Sequence, residues 1–245
     1  MLARLRSLSL ALAAPLILWG CVLTPGKFVS TLDIRADRSF AFTYVGEVYA
    51  VDMGKEFTKG LKDSDTDKTS TDATGDEASA KAIAAQDVKG DDAKDGEDSE
   101  AKNRAIAEAL SKEAGFRKVQ YVGNGKFEID YAASGKLTYP FLFPFSSDAE
   151  VIFPFVMVEL RGADRIRVKA PAFGADSSKS SMSDAGKAAN KVDGTFTLTT
   201  DAEIVSQNNE SGATTAGGKK TISWRATPTT KDTPMAVLKV APLAP

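Results

Sequence analysis

The chain has 245 residues, 31 Lys and Arg against 33 Asp and Glu, a formal charge of −2, no histidine and one cysteine. Without histidine there is no Ser-His-Asp or Cys-His nucleophile pair and no histidine-ligated metal centre. No G-x-S-x-G, G-x-G-x-x-G or P-loop occurs, and the one S-x-x-K spacing, Ser99 to Lys102, lacks its partner motifs and suits a helix N-cap instead. The expectation is a protein that is not an enzyme, uses no cofactor or metal and does not bind nucleic acid.

Arg4 and Arg6 precede an apolar stretch, residues 7–19, interrupted by Pro15. Thirteen residues are the length of a signal peptide, short of the roughly 20 that span a bilayer. Cys21 follows directly after Gly20, with Leu18 three residues before it, and this resembles the bacterial lipobox, although Trp19 is bulkier than usual there. The resemblance implies cleavage after Gly20 and a diacylglycerol thioether on Cys21; a simple membrane helix or a free cysteine are the competing readings. Two acyl chains of about fifteen methylenes would contribute on the order of 24 kcal/mol of membrane affinity before losses. By analogy with lipoprotein sorting, Val22 rather than an acidic residue after the cysteine implies the outer membrane, facing the periplasm. Residues 1–20 are therefore expected to be a lipoprotein signal peptide and 21–27 a short lipidated tether.

Strand signals start at residue 28. Phe28, Leu32 and Ile34 alternate on one face, and after a turn at 36–39 Phe40, Phe42 and Tyr44 repeat the period, so 28–53 reads as a hairpin with one buried side. Gly46 breaks the period as a bulge would. Residues 63–100 carry thirteen acids and four lysines, with Ile83 and Val88 the only larger apolar side chains. Such a segment cannot bury enough surface to offset chain ordering, so 54–100 is read as an acidic disordered insertion. Within it Asp63, Asp65 and Asp67 have the start of a calcium loop without its glycine or its twelfth-position glutamate.

The remainder of the domain is assigned to 101–245. A helix is expected over 101–114, with Ala105, Ile106, Ala109 and Leu110 as its apolar stripe, a Glu108–Lys112 pair, and Gly115 at its end. Residues 116–121 and 126–131 form a second hairpin around Asn124-Gly125, a pair suited to a type I′ turn. Strands follow at 151–160 and 164–170, then a long Ser/Ala/Lys-rich loop over 171–194. Residues 195–205 are read as one strand with Phe196, Leu198, Ala202 and Ile204 inward, answered by 221–226 and closed by 235–240. The fold class is α+β: a curved antiparallel sheet of hairpins packed on one helix.

The helix followed by Gly-Phe-Arg-Lys-Val-Gln-Tyr and the Asn-Gly hairpin, and the series DAEIVSQN, GKKTISWRATP and MAVLKV, resemble LppM-type bacterial envelope lipoproteins. Asn208 and Thr221-Ile-Ser-Trp224 stand where that family has an asparagine after a strand and a Thr- and Trp-bearing strand. The resemblance covers about half of the chain after Cys21. It implies a lipid-tethered α+β domain with a recess for a lipid-like ligand, but the acidic insertion and the lack of a C-terminal membrane helix depart from it.

Phe141, Phe143 and Phe145, spaced by Pro140 and Pro144, and Phe153 and Phe155 around Pro154, suit either a core or the mouth of an apolar ligand site, because proline denies a central strand its amide donors. Two functions follow: a membrane-tethered protein binding a lipid-like or other apolar ligand, or an assembly lipoprotein acting through an envelope protein partner.

Overall fold

The computed structural model describes residues 21–52, 92–144, 154–174 and 191–243. The first twenty residues lie outside this set, as do residues 53–91, including the calcium-like aspartates. In chain order the elements are β1 (Cys21–Ile34), β2 (Ser39–Asp52), α1 (Asp92–Ser111), β3 (Phe116–Gly123), β4 (Lys126–Lys136), β5 (Phe141–Phe143), β6 (Val156–Arg161), β7 (Arg165–Lys169), β8 (Asp193–Thr200), β9 (Glu203–Gln207), β10 (Thr214–Ala216), β11 (Lys219–Ala226) and β12 (Met235–Lys239). They make an α+β fold, with two sheets where one was expected. The larger is ordered β10-β11-β8-β1-β2-β4-β3 and the smaller β5-β6-β7-β12-β9. All pairings are antiparallel except β1 with β8, which run parallel.

The alternation in β1 and β2 places Leu32, Ile34, Phe42 and Tyr44 wholly inside. Val29 and Val45, opposite each other on the outer face, stay exposed. The first strand runs longer than expected: β1 starts at Cys21, so residues 21–25 pair with β2 and Lys27 with β8 where a free tether was expected, while β2 ends at Asp52, inside the expected hairpin. The register shift falls between Pro25 and Phe28, putting the extra residue in β1 opposite Glu47. Gly46 is required beside it, because a Cβ there would lie 2.3 Å from the Lys27 carbonyl oxygen and 2.6 Å from Phe28 Cα.

Helix α1 begins nine residues before the expected start, so residues 92–100 belong to it and not to the insertion. Acidic residues are favoured at a helix N-terminus, where the dipole is positive, and composition alone hides this. The buried stripe also differs from the expected one. Asn103, Ala107 and Leu110 face inward with Ile106 half-buried, while Ala105 and Ala109 are exposed. This rotation lets Glu100 and Asn103 reach β3: Tyr121 donates its hydroxyl to Glu100 Oε1 at 2.6 Å, and Asn103 Nδ2 donates to the same hydroxyl oxygen at 3.4 Å. The Glu108–Lys112 pair forms at 2.7 Å. Asn124 and Gly125 both have positive φ, 54° and 69°, as a type I′ turn demands.

Residues 195–205 split where one strand was expected. β8 belongs to the larger sheet and β9 to the smaller, and the chain crosses between them at Asp201 and Ala202. The inward alternation runs unbroken through the crossing, which is why the break is silent in the sequence. Thr200 is fully buried and accepts the Ala202 amide at 3.0 Å, and Asp201 accepts the Ala36 amide at 2.6 Å. The loop expected over 171–194 is likewise shorter, since the 3-10 turn Pro171–Phe173 buries Phe173 against Phe28, centroids 4.2 Å apart, and β8 starts at Asp193. The core lies between the facing sheets and joins their inner residues in one cluster.

Candidate functional site

Each sequence-predicted residue has a definite place except Phe145 and Phe153, which lie outside the described residues. Cys21 opens β1 and pairs with Asp52 at the end of β2. Phe143 and Phe155 are 1% and 0% exposed. Phe143 packs on Tyr131, Phe42 and Tyr44 at centroid distances of 4.6, 5.0 and 5.1 Å, and Phe155 packs on Tyr44 at 5.8 Å. Rings so enclosed join the two sheets and fill the core. Phe141, half-buried in the edge strand β5, lies against Phe40 and Phe42.

Among the described residues a concave feature lies elsewhere, at the β1 bulge. A cleft of about 580 Å³ is lined by Lys27, Glu47, Tyr49, Lys191, Val192, Asp193, Thr227 and Pro228. Three elements meet there because Lys27 pairs with Asp193 in the parallel β1–β8 ladder while the bulge presents Glu47 opposite it. Glu47 is the hub. Its Oε1 accepts Lys126 Nζ at 2.6 Å, and its Oε2 accepts the Tyr49 hydroxyl at 3.3 Å and the Lys27 backbone amide at 3.4 Å. Burial pushes the Glu47 carboxyl upward, but these donors outweigh it and hold the group below the ordinary carboxylate value. Burial and the neighbouring Glu47 charge raise the Tyr49 hydroxyl. Lys191 places its ammonium over the Tyr49 ring, 4.1 Å from the centroid. On the far wall Asp193 is paired with Arg225.

The cleft's members escaped sequence reasoning. Glu47 and Tyr49 share the spacing of one strand face, but nothing local links them to Lys191, well over a hundred residues away, or to Lys126. Among the described residues there is no group of three or more acidic or cysteine side chains placed to hold a metal, and no helix long and apolar enough to cross a membrane.

Among the described residues, the geometry defines an α+β domain of two facing sheets with one α-helix at the edge of the larger and an open, charged cleft. No protein-family model and no curated protein matches the chain. Among solved structures, the folded domain of LppM from Mycobacterium tuberculosis, determined by NMR, is similar with a TM-score of 0.34 and 14% identity, over 89% of this chain and 91% of that one.

Proposed function

We propose that this protein is a lipid-anchored, non-catalytic envelope module that works by binding, acylated at Cys21 and held on the outer membrane facing the periplasm. The observation that carries the proposal is the place of Cys21. It follows a charged and then apolar stretch of signal-peptide length, with Leu18 and Gly20 before it, and it is itself paired with Asp52 in the first strand of the folded domain. With no free linker, the acyl chains would seat the Cys21 end of the sheet directly on the lipid surface. A lipid-like ligand for the domain agrees with this position.

Cys21→Ser tests the proposal in cells by fractionation and by the mass of the mature protein. The expected result is loss of the acyl mass and accumulation of unprocessed precursor or a soluble form. A variant that is still cleaved and still fractionates wholly with membranes would refute it.

A further inference from the structure

The charges lining the cleft are unequal in a way that points to a ligand. Its two carboxylates are each neutralised, Glu47 by Lys126 and Asp193 by Arg225. Its two lysines are not: neither Lys27 nor Lys191 forms an ion pair among the described residues. Lys191 is held over the Tyr49 ring, a contact that fixes the ammonium in place without cancelling its charge. Both are exposed, so each retains free donors directed to solvent. A concave site with two unmatched ammonium groups, neutralised acids and a fixed lysine is built for an anion. Lysine as a point charge with rotatable donors serves phosphate well.

We infer that the cleft between the β1 bulge and the start of β8 binds a phosphate ester through Lys27 and Lys191. Tyr49 acts as the positioning residue that fixes Lys191. Two sources share this chemistry, a membrane lipid headgroup and a soluble phosphorylated molecule. The β1 residue of the cleft, Lys27, stands at the middle of that strand, six residues after Cys21. The inference does not require acylation of Cys21, so each can fail without the other.

The test uses the full chain in neutral detergent micelles. Glycerol phosphate and dihexanoyl phosphatidylglycerol are titrated separately, with sodium chloride held constant to level ionic strength. Binding is read by calorimetry, and also by mass-spectrometric protection of individual lysines from an amine-acylating reagent. Protection of Lys27 and Lys191, with Lys136 and Lys239 unprotected, is the expected result. Saturation by glycerol phosphate supports a soluble ligand, and saturation by the phosphatidylglycerol alone supports a headgroup. Lys27→Gln and Lys191→Gln should each weaken binding about tenfold, as loss of one charged hydrogen bond does. Tyr49→Leu should weaken it less, and should raise the reactivity of Lys191 while leaving that of Lys27 unchanged. Lys136→Gln is the control, and unchanged unfolding midpoints show that the variants fold. Binding of neither probe, or binding that survives loss of both lysines, overturns the inference. Running the same titration on Cys21→Ser separates this outcome from failure of the lipoprotein proposal.

Discussion

Arg38 ties together parts of the chain that no local sequence signal connects, and its removal should be among the costliest single changes in the protein. It sits in the β1–β2 turn with φ of 73° and is 1% exposed. Its guanidinium donates three hydrogen bonds to backbone carbonyls: Nε to Ala241 at 2.5 Å, Nη2 to Ala163 at 2.6 Å and Nη1 to Leu137 at 3.3 Å. These carbonyls belong to the C-terminal segment, the β6–β7 turn and the residue after β4. One side chain thereby pins both sheets at the end away from Cys21. Backbone bonds reinforce the joint, Ala241 N donating to Ala36 O at 2.6 Å and Leu243 N to Ala163 O at 3.0 Å.

Truncation to alanine leaves three carbonyls without their donor. Each costs about 1–3 kcal/mol if it stays dry, and relief from burying a charge offsets part of that, leaving about 3–5 kcal/mol for Arg38→Ala. Arg38→Lys keeps the charge but lacks the planar fork, and should lose about 1–3 kcal/mol. Arg38→Gly should be about 1 kcal/mol less damaging than Arg38→Ala, because glycine takes the left-handed backbone without strain. Guanidinium unfolding at constant m measures all three. Hydrogen exchange should show the Ala241 and Leu243 amides losing protection first. An Arg38→Ala protein within about 1 kcal/mol of the parent, an ordinary surface value, would refute the reasoning.

Phe143→Ala should cost about 3–5 kcal/mol, as large-to-small changes in closed cores do, whereas Phe141→Ala at the half-buried edge should cost roughly half of that; equal, small losses at both positions would restore the ligand-mouth reading of the aromatic run. For Glu47→Gln the effect depends on pH. The folded Glu47 value lies below the ordinary one, so its contribution is present above about pH 4.3 and is lost as pH falls through the lower folded value. Lys126 is raised, chiefly by its hydrogen bond to Glu47, so its share is present below about pH 10.4 and is lost as pH rises through the higher folded value. The stability gap between parent and variant should therefore be widest from about pH 5 to pH 10 and close on the acid side. A gap that stays constant down to about pH 3 would show that the carboxylate's ionisation is not what matters.

Period-two alternation and turn chemistry were legible in the sequence because both are local. The inward set from Phe28 to Tyr44 and the Asn124-Gly125 turn follow from side-chain order and from φ values that few residues tolerate. Whether an alternating run is one strand or two is not local: Phe196 to Ile204 keeps a single phase while the backbone changes sheet, because both sheets face the same core. The same limit applies to α1, where the Tyr121 hydroxyl donates to Glu100 and accepts from Asn103 while Ala105 and Ala109 face solvent. Aromatic content announced burial without saying what would be buried together, and the facing sheets decided that Phe143 closes on Tyr44 and Tyr131. Charge is the extreme case. The cleft exists because a parallel β1–β8 ladder sets Lys27 beside Asp193 and a bulge turns Glu47 toward Lys126. A pairing across well over a hundred residues leaves no trace in spacing, since only closure of the chain brings the charges within reach of one another.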